Sequence, residues 1–234
     1  MLDPRVSAIA GAAAEAVAFV AASPVLPEGT PAIVRAGVII AIVPVLLLAE
    51  RGGYEQAPSS IFSGALIGAA YGMGASLVAG AVKGAGDLID AGLGSPPFLS
   101  MAKAGGPLQR LYHLAYTLVL FGSGGFSAMV ATLAGAHGLA QYPQVDVPRV
   151  IGLAVDSMRL CLLLAGPCLF AQALATIVTG LVARVAPSVG GILLGAQLSS
   201  ASVICALALG ATTLGSELLD VVRHTLALGR LIIR

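Results

Sequence analysis

Gly64-Ala-Leu-Ile-Gly68-Ala-Ala-Tyr-Gly72-Met-Gly-Ala-Ser76-Leu-Val-Ala-Gly80-Ala-Val-Lys-Gly84 sets a small residue at every fourth position, six times in succession, inside a strongly apolar stretch. In a lipid-embedded helix, rows of small residues let backbones approach closely, because lipid supplies no hydrophobic drive for helices to associate. A step of four drifts about 40° against the 3.6-residue period, so the row winds around its helix and meets more than one neighbour along about 30 Å. Two readings compete. The row reflects ordinary packing in a chain with 30 glycines, or Gly64, Gly68, Gly72, Ser76, Gly80 and Gly84 form a ridge for packing between subunits. The second is the expectation taken forward.

Composition places that helix in a membrane. The chain has 234 residues, 58% hydrophobic and 10% charged, with mean hydropathy +0.97. Soluble domains carry about 25% charged residues. A length of 234 suits about six spans of roughly 20 residues. The net charge of +1 offers no footprint for nucleic acid. Cys161, Cys168 and Cys205 sit in apolar runs without metal-ligand spacing and read as buried small hydrophobes. No cleavable leader is read at the N-terminus. Trp is absent and aromatic residues make up 5%, so the interfacial aromatic belt is weak, as expected if much of the surface meets protein.

Apolar runs cover about 6–22, 31–49, 61–83, 111–136, 150–183 and 189–215, and an amphipathic, mobile tail is expected from 217 onward. The run 150–183 exceeds one span, and Pro167 is expected to break it. Pro44 interrupts another run, and Gly122, Gly124 and Gly125 a third. A bilayer tolerates broken helices only where protein or water covers the freed backbone. Lys and Arg are shared almost equally between alternate connections, so the positive-inside rule leaves orientation open.

Charges at membrane depth are costly and mark function. The candidates include Glu15, Arg35, Lys83, Asp87, Asp90, Asp156, Arg159 and Arg184. Lys83, Asp87 and Asp90 share one helical face, and Asp156 and Arg159 stand three apart. These are local ion pairs, or else pairings between subunits or a cation path. The connection Gly92-Leu-Gly-Ser-Pro-Pro-Phe-Leu-Ser-Met-Ala-Lys-Ala-Gly-Gly-Pro-Leu108 mixes flexible Gly94, Gly105 and Gly106 and rigid Pro97 with apolar Phe98, Leu99 and Met101. A solvated loop rarely groups Phe, Leu and Met. It reads as a re-entrant loop packed on its own chain or as a plug closing a pore, the soft side chains sealing an irregular gap.

Enzyme signatures are absent. Ser123 lies between glycines but not in a nucleophile elbow. His113, His137 and His224 have no second ligand at helical spacing, and no nucleotide-binding fingerprint appears. No catalytic residue, metal or cofactor is expected.

Four segments in order resemble the SctT/FliR family, the T subunit of type III secretion and flagellar export gates. They are Ser23-Pro-Val-Leu26 with Pro31, Val34-Arg35-Ala-Gly37 and Pro44; Leu66-Ile-Gly68 with Gly72, then Ala85-Gly86-Asp87-Leu-Ile-Asp90 and Gly94; Leu118-Val-Leu-Phe121 with Gly124-Gly125; and Pro167, Gly180-Leu-Val-Ala-Arg184-Val-Ala-Pro187 and Gly195. Asp87 stands where the family usually has Glu, and the stretch between Gly94 and Pro107 lacks the family's common Asp-Pro.

The resemblance implies an all-α membrane protein of about six broken apolar helices arranged as hairpins. It implies a single export-gate domain over 1–234, similar to a fusion of the gate's R and S subunits, with an R-like part about 1–140 and an S-like part about 150–234. Its partners would be the R and S subunits, the U switch subunit, the V export gate ring, unfolded protein substrates and the lipid membrane. Its place would be the bacterial inner membrane, crossed several times and partly raised toward the periplasm. Residues 95–106 would help to block the closed channel. The alternative is a small multi-pass secondary transporter, which calls for an internal repeat of spans that this sequence does not show.

Overall fold

The computed structural model describes residues 4–23, 26, 30–49, 61–93, 105–136, 147–185, 197–208, 216 and 219. Among them are seven helices and no strand. They are α1 (Pro4–Ala22), α2 (Ala32–Ala49), α3 (Ile61–Gly92), α4 (Pro107–Gly122), α5 (Gly125–Ala136), α6 (Val147–Val185) and α7 (Gln197–Ala208). The expected six become seven because the run 111–136 folds as two helices. Gly124 takes φ +71°, a left-handed conformation that ends a helix readily only with glycine, and α4 and α5 bend by 67° at that point. The Phe121 and Phe126 rings lie 5.3 Å apart across the break.

Two other interruptions do not occur. Pro44 lies within α2 and Pro167 within α6, each helix continuing through its proline. Proline removes one N–H from a helix, and a long apolar helix keeps its other bonds when neighbours compensate at that turn. α3 runs past its apolar stretch to Gly92, so Lys83, Asp87 and Asp90 are helical, as the reading of a shared helical face required. α2 starts from the Pro31 carbonyl, which accepts from the Val34 and Arg35 amides at 3.0 and 3.3 Å. α4 starts on Pro107, whose fixed φ suits a first helical turn that needs no N–H.

The described residues form two compact units. One lies within Met1–Ala79 and Thr117–Asp156 and the other within Gly80–Tyr116 and Ser157–Leu219. In the first, α2 packs on α1 and on α5, and Phe19, Leu46, Ile67, Leu120 and Leu133 are fully buried. In the second, Val82, Ile89, Tyr112, Leu164, Cys168 and Val203 are buried. Cys161 is half-buried, whereas Cys205 is exposed on α7 beside exposed Ile204, not buried as its apolar run suggested.

α3 and α6 are each long and apolar enough to cross a membrane, and the bent α4–α5 pair makes a third span if counted as one. The two long helices are covered very differently. In the most apolar 18-residue window of α3, 61% is buried by the chain, against 28% in α6.

Candidate functional site

The glycine row of α3 is used by its own chain over its first half. Each glycine that reaches α1 does so at the same step of four along both helices. Gly64 faces the backbone of Gly11, Gly68 that of Glu15, and Gly72 meets Phe19, Ala22 and Ser23. Residue numbers rise together on both sides, so α1 and this part of α3 run parallel in fixed register. A β-carbon at Gly64 would strike the Gly11 carbonyl, and one at Gly68 the Glu15 carbonyl. At Gly72 it would lie 2.7 Å from the Ala22 Cβ and 2.8 Å from the Phe19 carbonyl oxygen. Glycine is required because backbone meets backbone, the close approach that small residues permit between membrane helices. Glu15 is fully buried in this seam.

The rest of the row differs. Ser76 turns its hydroxyl back to donate to the Met73 carbonyl at 2.8 Å. Gly80 is exposed, with nothing within 4 Å of where a β-carbon would stand. A β-carbon at Gly84 would lie 3.3 Å from the Cys161 Sγ.

The acidic end of α3 builds a polar clasp in the second unit. Asp90 is buried, and its carboxylate accepts from the Leu108 amide at 3.2 Å and the Gln109 amide at 3.1 Å. These are among the first N–H groups of α4, which have no partner within their own helix. A carboxylate from another helix thus does the work of an N-cap, favoured also by the positive end of the α4 dipole. Asp87, one turn earlier, accepts from the Gln109 Nε2 at 3.0 Å. Gly106 lies against the Asp90 carboxylate and Gly86 against the Gln109 backbone, so neither position has room for a β-carbon. From α6, Gln172 donates through Nε2 to the Ile89 carbonyl at 2.9 Å, with Gly92 packed on its amide. The end of α3 is thereby tied to the start of α4 and to the middle of α6. Leu93, whose amide donates to the Ile89 carbonyl at 3.1 Å, and Gly105, packed on the Gln109 side chain, belong to this tied region.

Of the expected plug residues, Gly105 and Gly106 fall at the approach to α4, while Gly94, Pro97, Phe98, Leu99 and Met101 lie outside the described residues. Of the expected charge set, Asp87 and Asp90 join the clasp, and Lys83 is half-buried one turn before Asp87. Asp156 and Arg159 are exposed on α6. Arg184 is exposed in the last turn of α6, where a cation suits the negative end of the helix. Gln109, Gln172 and Tyr112 were not anticipated. Gln172 alone carried a signal: it is an isolated amide in an otherwise apolar run, and such a group must find a partner when buried.

Long apolar helices, backbone-to-backbone glycine packing and a buried polar tie define a helical membrane protein built around close helix contacts. Residues 11–225 match the family described as "Bacterial export proteins, family 1", and the chain belongs to that family, as the sequence resemblance implied. No curated protein matches the chain. Membership makes it a membrane component of a bacterial protein-export apparatus.

Proposed function

We propose that this protein is the T-type subunit of a type III export gate in the bacterial inner membrane. In this reading it is a non-catalytic structural subunit that lines and closes the channel through which unfolded proteins leave. It assembles with R- and S-type subunits, contacts the U switch subunit and the V ring, and contains an R-like part followed by an S-like part. Family membership over 11–225 supports an export role. The observation that carries the finer reading is α6. Its 39 residues extend about 58 Å at 1.5 Å per residue, nearly twice the roughly 30 Å hydrocarbon core of a bilayer. Its apolar side chains nevertheless continue to Leu181, Val182 and Val185, all exposed. Lipid tails can cover only part of such a helix, and sister subunits rising out of the bilayer plane would cover the rest.

The test is co-expression with R- and S-type proteins of the same machine, followed by purification through a tag on this chain and imaging of the particle. A stable complex containing all three is the expected result. Recovery of the chain alone as a monodisperse monomer, with secretion intact in its absence, would overturn the proposal.

A further inference from the structure

We propose that Tyr112 is a brace for a proline hinge in α6, with Gln172 as its second anchor. Pro167 leaves the Leu163 carbonyl without its usual helical donor, and its ring crowds the preceding turn. A polar contact reaches α6 on that turn. The Tyr112 hydroxyl of α4 donates to the Leu164 carbonyl at 3.3 Å in a buried setting, and the Cys168 thiol lies against the same hydroxyl. Tyr112 and Cys168 are almost wholly buried. Just beyond the proline, Gln172, also buried, donates to the Ile89 carbonyl of α3 at 2.9 Å. The loosened turn is therefore held on both sides, from α4 before it and from α3 after it.

What lies past the second anchor gives the brace its purpose. Apart from Thr179, every residue from 176 to 185 is exposed, so that stretch of α6 has little packing of its own to set its direction. Its course is inherited from the held turn. Proline-bearing helices bend where neighbouring groups fail to compensate for the missing bond. Tyr112 does not replace the donor lost at Leu163; it ties the adjacent Leu164 carbonyl to α4, which makes it a positioning residue rather than a filler: phenylalanine would fill the same space and leave that turn untied.

The experiment is hydrogen exchange, followed by mass spectrometry, at the amides of 164–172 in the full chain reconstituted in lipid nanodiscs. Tyr112→Phe is expected to speed exchange there about three- to tenfold, the equivalent of one lost hydrogen bond, with 61–79 unaffected. Pro167→Ala returns a helical donor to Leu163 and stiffens the turn, so in that background Tyr112→Phe is expected to speed exchange by a smaller factor. Unaltered exchange in Tyr112→Phe, or equal acceleration with and without Pro167, would overturn the brace. If the single variant does not fold, recovery of helicity in the Pro167→Ala/Tyr112→Phe double variant supports it and continued failure overturns it. The readout concerns the isolated chain, so a negative result here leaves the export-gate reading untouched, and the reverse holds.

Discussion

Replacing Gly72 and Gly80 separately distinguishes a glycine packed within the chain from one that stands open. Both lie on α3, two helical turns apart, and sequence alone treats them alike. At Gly72 the added methyl would sit 2.7 Å from the Ala22 Cβ and 2.8 Å from the Phe19 oxygen, where carbon contacts normally lie at about 3.5–4.0 Å. The obstacle is backbone and a β-carbon, and neither can rotate away. α1 must retreat by about 1 Å, which forfeits up to half of the dispersion energy of the atoms that part. Because Gly64 and Gly68 share the parallel register, their contacts loosen too. Overpacking of this kind costs about 1–3 kcal/mol, offset by the roughly 1 kcal/mol by which alanine is the better helix former. Gly72→Ala should therefore destabilise the isolated chain by up to about 2 kcal/mol, and Gly72→Leu by more. Gly80 has nothing within 4 Å, so Gly80→Ala gains only the helix-former term and should be neutral or up to about 1 kcal/mol stabilising.

Loss of helicity on titrating the micelle-bound chain with a denaturing detergent measures both. A Gly72→Ala variant as stable as Gly80→Ala, or a Gly80→Ala variant weaker than wild type, would refute the reasoning. Gly80→Leu then bears on the partner proposal directly. It should leave the isolated chain folded yet abolish co-purification with R- and S-type subunits if Gly80 packs against one of them.

Asp90→Ala leaves two amides at the start of α4 without their acceptor and should cost about 1.5–3 kcal/mol, as for bonds to a charged group; Asp90→Asn, which keeps one oxygen, should cost less, and amide exchange at Leu108 and Gln109 reports both. Gly92→Ala drives a methyl into the Gln172 amide and should be destabilising, while Gln172→Ala in the same chain removes that clash and should recover part of the loss in the same detergent titration. Gly124→Ala places a side chain at φ +71° and should cost about 1–2 kcal/mol, whereas Gly122→Ala, with open space around it, should not; thermal unfolding followed by circular dichroism separates them. Trimming 95–104 while keeping Gly105 and Gly106 for the clasp should make the closed gate leak small ions, and unchanged single-channel conductance of the assembled complex would count against a plug there.

What the sequence revealed and what it concealed follow from range. Apolar runs and composition are local or additive properties, and they located every helix described. The break at Gly122–Gly125 was legible because left-handed backbone favours glycine at a single position. Pro167 does not break α6, and a proline's effect depends on what stands beside it: the tie on its preceding turn, at Leu164, comes from Tyr112, 52 positions earlier in the chain. The same holds for Asp87 and Asp90. Their spacing showed that they share a face, but not that the face looks onto the start of α4, since the partners are backbone amides that no residue type betrays. Small residues gave the reverse difficulty: the row from Gly64 to Gly84 is uniform in sequence, while its first half is spent on α1 and Gly80 is not.

That division bears on what kind of membrane protein this is. A helix destined for lipid alone has no need of glycine on its open side, because lipid accepts any apolar side chain and alanine or leucine would hold the helix better. Gly80 nevertheless leaves a gap in the exposed surface of α3 that no part of the described chain fills, and α6 presents Phe170, Leu174, Ile177 and Leu181 uncovered. Within one protein, α3 is provided for over its first half by α1, through contacts that only glycine permits. Further along, Gly84 meets Cys161 of α6, so the open glycine of the row is Gly80, where there is room for another helix at the same close range. On the proposed export-gate reading, the helix that enters there would belong to a sister subunit.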